Sequence, residues 1–213
     1  MSGSERPADT LRSYLTRSRE SLVWKLDGLG ERAVRLPRTP TGTSLLGTIL
    51  HCANVELGYF GPTFGRSWPE PEHPCFLADD VYDADPQADW TVPGEVTTAE
   101  LLDFYRRVWS FCDDAFDELP LEAVGQVPWW PEERARVTLH RVAVHVLWDL
   151  ARHAGQLDIL RERIDGAVGM LPSADNIPSD VDWPEYVVRL TAIADGFADH
   201  PSDTGSPPSH PGS

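Results

Sequence analysis

"HVLWDLARHAGQLDILRERIDG", residues 145–166, places His145, Asp149 and His153 at successive intervals of four. On a helix these side chains stack within about 80° of arc, and Gln156 and Leu160 continue the row. The stretch closes the longest helical segment of the chain, about Glu133 to Ile164, which Gly166 and Gly169 end. Two ligands four apart can share one metal ion, because their Cβ atoms lie about 5–6 Å apart. Three rungs span nearly 12 Å along the axis at about 1.5 Å per residue. One ion therefore takes His145 with Asp149, or Asp149 with His153, but not all three. A solvated polar stripe has the same spacing, so spacing alone leaves both readings open.

A third ligand from elsewhere would favour the metal. The best candidate is His51, in "LGTILHCANVELGYF", residues 46–60. It lies off the Leu46/Leu50/Leu57 stripe, on a strip with Gly47, Asn54 and Gly58. Small neighbours there let another helix or a ligand approach closely, and would equally suit a solvent-facing histidine. His73 falls in a long connection, His140 on another face of its helix, and His200 and His210 in the C-terminal tail. Cys52 adjoins His51 but lies about 100° round the helix, so it reads as core.

Besides the long segment, the periodicity predicts four further helices. The first, about Thr10 to Leu29, carries Leu11, Leu15, Leu22, Leu26 and Leu29; the second, about Ser44 to Phe60, contains His51. A third follows in "TTAELLDFYRRVWSFCDDAFDEL", with Thr97 and Glu100 as a capping box. A last helix runs from about Trp183 to Ala198. Residues 61–96 are rich in Pro, Trp and Asp without a sustained period, and no strand is expected. The reading is an all-α four-helix bundle, with a long crossover between helices 2 and 3 and an additional C-terminal helix. Residues 1–9 read as flexible and 199–213, rich in Pro, Ser and Gly, as disordered. The crossover would frame a pocket, with Trp68, Trp90 and Tyr82 as lids or as aromatics that simply seal the bundle. Arg152 and Arg161 flank the ladder, where they bind an anion or pair with neighbouring acids.

The totals narrow the function. The chain has 213 residues, 34 acidic against 18 basic, and a formal net charge of -16. A surface that negative repels phosphate backbones and anionic lipid, so neither nucleic acid nor membrane is an expected partner. Three widely spaced cysteines form neither a disulfide framework nor a thiolate zinc cluster. Without an apolar leader or a run of ~20 apolar residues, the expected compartment is the cytoplasm. A single lysine, Lys25, among seventeen arginines points to a GC-rich genome.

"LLGTILHCANVELGYF" followed far downstream by residues 145–166 resembles the DinB-like superfamily of metal-binding four-helix bundles. The resemblance is to the actinobacterial branch that includes mycothiol-dependent transferases and the N-terminal domain of mycothiol-dependent maleylpyruvate isomerase. It covers roughly residues 10–198, and its specific parts are Ile49 to Glu56 and Asp149 to Gly166. It implies a metal triad of His51, Asp149 and His153, with His145 and Gln156 in support behind the ligands. Aspartate at 149, where the isomerase-like branch carries glutamate, is one methylene shorter and draws the ion toward its helix. The resemblance implies a divalent metal, zinc by default with nickel or iron also suited, and mycothiol as thiol co-substrate. The implied activity is a metal-dependent enzyme activating that thiol for transfer to, or isomerisation of, an electrophilic small molecule. A C-terminal domain contributes to the isomerase site and this chain ends after the bundle, so transfer is the expected reaction. A homodimer through the outer helices is compatible with the pattern. The alternative is a DinB-like metal-binding stress-response bundle without catalytic turnover.

Overall fold

Four long helices bury their apolar stripes against one another. In the computed structural model, which describes residues 6–173 and 176–197, these are α1 (Pro7–Trp24), α3 (Leu45–Phe60), α5 (Thr98–Glu118) and α7 (Leu139–Asp165). Shorter helices are α2 (Glu31–Arg35), α4 (Asp79–Ala84), α6 (Glu132–Ala135) and α8 (Trp183–Ala194). The chain divides into two units, Met1–Asp175 and Asn176–Ser213. The first holds the bundle; α8, capped by Asp182, belongs to the second. The tail expected to be disordered falls outside the described residues.

Local signals explain where the main helices begin. Ser44 caps α3 by accepting from the Gly47 amide, and Thr97 with Glu100 completes a reciprocal capping box on α5. Proline at the first position starts α1 at Pro7, three residues before the expected start at Thr10. That helix stops at Trp24 rather than Leu29, and a turn leads into α2, too short to show a period.

The long final helix of the bundle is shorter than its sequence pattern. Glu133 to Ala135 belong to α6, and Arg136–Thr138 form a strand, β2, paired antiparallel with β1 (Val124–Gln126). Good helix formers extend the pattern backward, but β-branched Val137 and Thr138 favour the strand, and Thr138 caps α7 by accepting from the Arg141 amide. The expectation of no strand is corrected by this two-stranded ribbon.

Cross-helix contacts fix the topology. Arg12 pairs with Asp117 and Arg19 with Asp113, so α1 and α5 run antiparallel. Glu56 meets Tyr105 and Phe60 meets Phe116, so α3 and α5 run in the same direction. Parallel neighbours need a connection that returns along the bundle, and residues 61–97 supply it. That crossover contains α4 and 3-10 turns at Pro62–Phe64 and Ala88–Trp90. The core between the helices includes Leu15, Leu22, Ile49, Leu50, Phe104, Val108, Val146 and Leu157.

Candidate metal centre

The crossover is strapped to the polar strip of α3. Asn54 donates to the carbonyls of Leu50 and Cys75 and accepts from the Leu77 amide. At Gly47 the crossover backbone comes so close that a Cβ would lie 2.5 Å from the Trp90 carbonyl oxygen. At Gly58 a Cβ would lie 2.9 Å from the Trp129 ring. The small residues beside His51 therefore admit the crossover and a loop tryptophan. They admit no further helix.

Between those two close approaches, His51 faces α7. Antiparallel packing of α3 and α7 brings His51 to Asp149 and His153, and Tyr59 to His145. One donor atom from each of His51, Asp149 and His153 lies within 4.8 Å of the other two. Asp149 Oδ2 stands 3.9 Å from His51 Nε2 and 3.6 Å from His153 Nε2, beyond hydrogen-bond reach of either. That oxygen is buried and has no hydrogen-bond partner.

Each imidazole is held from behind. His51 Nδ1–H donates to Asp89 Oδ2 at 2.7 Å, and Trp90 stacks on the ring at 4.2 Å between centroids. His153 Nδ1–H donates to Gln156 Oε1 at 2.9 Å. With both Nδ1 atoms engaged as donors, the Nε2 atoms are the ring nitrogens left facing the unpartnered carboxylate oxygen. Burial lowers the pKa of His153, against the opposing pull of Asp149, which keeps that ring neutral. Two nitrogens and one oxygen converging in this way fit a divalent ion with an open position.

His145 lies one turn earlier and does not join the three. Trp130 Nε1–H donates to the Tyr59 hydroxyl at 3.2 Å, which in turn donates to His145 Nε2 at 3.0 Å. Burial lowers the pKa of His145 while Asp149 opposes it. His145, Tyr59, His51 and Asp149 all face a cavity of about 1140 Å³ beneath the crossover.

Asp89 and Tyr59 were not expected from sequence. Asp89 is buried but sits in an aperiodic connection, where nothing fixes which side chain turns inward. Tyr59 lies one turn beyond Val55 on α3, and only its partner on another helix reveals its role. Of the aromatics expected over the pocket, Trp68 and Tyr82 line the cavity. Trp68 is also wedged edge-on against Phe104 and Phe111, and Trp90 covers His51. Arg161 is committed to Asp165 and the Lys25 carbonyl, while Arg152 is exposed. His73 stacks on Phe104, away from the triad, and His140 is exposed. Cys52 is fully buried, and burial, reinforced by Asp149, pushes its thiol well above the ordinary range.

The sequence profile of the mycothiol-S-transferase family matches residues 10–166. The chain belongs to that family. The match in this mycothiol-S-transferase family member spans α1 through α7 and ends at Gly166, which caps α7 in the left-handed conformation. No curated protein matches it significantly. Among the described residues, no helix is long and apolar enough to cross a membrane.

Proposed function

We propose that the protein is a metal-dependent transferase that moves mycothiol onto an electrophilic small molecule, with His51, Asp149 and His153 holding the ion. The observation that carries this reading is the buried, unpartnered Asp149 Oδ2 facing two imidazole nitrogens at the wall of a large cavity, in a chain of the mycothiol-S-transferase family. Zinc suits the two-nitrogen, one-oxygen set. A divalent ion at these donors lowers the pKa of a thiol that reaches it, so that the thiolate exists at neutral pH.

The chain's own residues supply the rest. Asp89 and Gln156 fix the tautomers of the two histidines. The apolar walls hold the electrophile and exclude water from the sulfur. In addition to an activated double bond, the sulfur–carbon bond forms as the π pair moves onto the acceptor, and the proton lost by the thiol ends on the adjacent carbon. The protein's cysteines play no part, since Cys52, Cys75 and Cys112 are all buried.

The test is metal analysis of the purified protein together with conjugate formation from mycothiol and monochlorobimane. Metal at one equivalent, lost in His51→Ala together with the conjugate, is the expected result. Metal content unchanged in His51→Ala removes the triad. Retention of metal without any conjugate favours a binding bundle without turnover.

A further inference from the structure

The charge around the cavity is one-sided. Among the described residues that line it, Asp80, Asp83, Asp89 and Asp149 are acidic, and Arg66 is the one arginine or lysine. Arg66 is already engaged: Nε donates to Glu118 Oε2 at 2.9 Å, Nη1 donates to the Phe60 carbonyl at 3.1 Å, and the guanidinium lies over the Phe111 ring. Asp89 is bonded to His51. Asp80 and Asp83, on α4, are exposed, and no described arginine or lysine pairs with either. Much of the rest of the wall is apolar or aromatic, with Val55, Trp68, Phe76, Leu77 and Trp129, and its remaining polar side chains, such as Asn54, Ser67 and Tyr59, are uncharged. A divalent ion at the triad brings two positive charges, which Asp149 and Asp89 offset, so no surplus cation is left for an anionic tail.

We propose that the electrophile is an uncharged molecule with a flat apolar body, and that Asp80 and Asp83 turn carboxylate-bearing analogues away. The proposal rests on the transferase reading for its reaction, but the selection itself is a property of binding. Tryptophan and phenylalanine faces accept a flat ring of any substitution pattern, so charge is what separates one aromatic electrophile from another here. If a bound anion sits within about a Debye length of both exposed carboxylates, Coulomb repulsion weakens its binding by roughly three- to ten-fold at low ionic strength, and salt shrinks the bias.

The experiment uses the full chain loaded with zinc and reads quenching of tryptophan fluorescence by an unreactive matched pair, 1,3-dinitrobenzene and 3,5-dinitrobenzoate. At about 10 mM salt, where screening is weak, the uncharged ring is expected to bind roughly three- to ten-fold tighter. The gap is expected to close in high salt and in the double variant Asp80→Asn/Asp83→Asn. Equal or tighter binding of the benzoate, a gap unchanged in the double variant, or no quenching by either ring overturns the proposal. Conjugation of mycothiol to 1-chloro-2,4-dinitrobenzene and to 4-chloro-3,5-dinitrobenzoate, each relative to its uncatalysed rate, should show the same preference. Absence of both conjugates sinks the transferase reading, while the binding pair still decides the charge selection.

Discussion

Two polar clusters sit in the same bundle, both built on α3, and they are finished in opposite ways. Around Glu56 every group is satisfied from within. Arg19 donates through Nε and Nη2 to Glu56 Oε2, Tyr105 donates to Glu56 Oε1, and Arg19 Nη1 reaches Asp113. Arg19 and Glu56 are both fully buried. Burial opposes the Arg19 charge, but Glu56 more than restores it, and the guanidinium is held above its ordinary pKa. Less than two turns earlier on α3, His51 meets Asp149 and His153, so that two imidazole nitrogens and a carboxylate oxygen converge with no hydrogen bond among them. A cluster that saturates itself has nothing left to offer a ligand. One that leaves a buried carboxylate oxygen unpartnered is poised for something outside the chain.

The contrast breaks most sharply on mutation. Glu56→Ala strands a buried guanidinium, and the expected loss is ~3–5 kcal/mol of unfolding free energy by urea denaturation. Asp149→Ala should do the reverse. Removing an acceptor that has no partner costs the metal-free protein little, within about 1 kcal/mol of wild type. Zinc affinity, read by competition with a chelating dye, is expected to fall by more than 100-fold, since a direct ligand is lost. A large destabilisation of the metal-free protein by Asp149→Ala would place it with the structural cluster instead.

The groups behind the ligands give a finer comparison. Asp89 offers a buried carboxyl oxygen and its bond to His51 is short, whereas Gln156 offers the amide oxygen of an exposed residue. Asp89→Asn keeps the shape but offers His51 a weaker, neutral acceptor, and zinc affinity is expected to fall about 10- to 100-fold. Gln156→Ala leaves His153 free to find water and should cost only about two- to five-fold. Equal effects would mean that the crossover adds nothing beyond what α7 supplies by itself.

Legibility in the sequence follows the same divide between regular and irregular chain. The helices α3 and α5 were readable because caps and apolar stripes agree, at Ser44 and at Thr97 with Glu100. The small residues beside His51 left a helix, a ligand or solvent equally open, and did not show that the crossover at Trp90 and a loop tryptophan, Trp129, make the close approach. The start of α7 was not, because Glu and Arg in residues 132–136 favour helix while Val137 and Thr138 pair as strand through a partner at Val124–Gln126. Asp89 was invisible for a stronger reason. A connection without a period gives no register, so the inward carboxylate of Asp89 looks in sequence like the exposed Asp80, Asp83 and Asp85 around it. The spacing of the ladder on α7 set out its candidates, but only α3 could select among them. His145 and His153 differ in what stands opposite, Tyr59 for one and His51 for the other.

The smallest expected effect separates histidines of the site from a histidine of the scaffold. Burial is the largest influence on His153, His145 and His73, and it lowers the pKa of all three. The unfolded chain, with imidazoles near 6.5, therefore binds more protons than the folded one as the pH falls. Stability of the metal-free protein is complete above about pH 7 and is lost on going down through 6.5 toward the folded values. Thermal melting across pH 7.5 to 5.5 is expected to show that decline, in a range where ordinary carboxylates stay ionised. His73 stacks on Phe104 and accepts from the Cys75 amide, and it is not one of the three converging ligands. His73→Phe should flatten part of the slope and leave zinc affinity unchanged. Loaded with zinc, the protein should decline more steeply than the metal-free form over the same range, because protons then compete with the ion for His153 itself. Identical slopes with and without zinc would detach His153 from the metal.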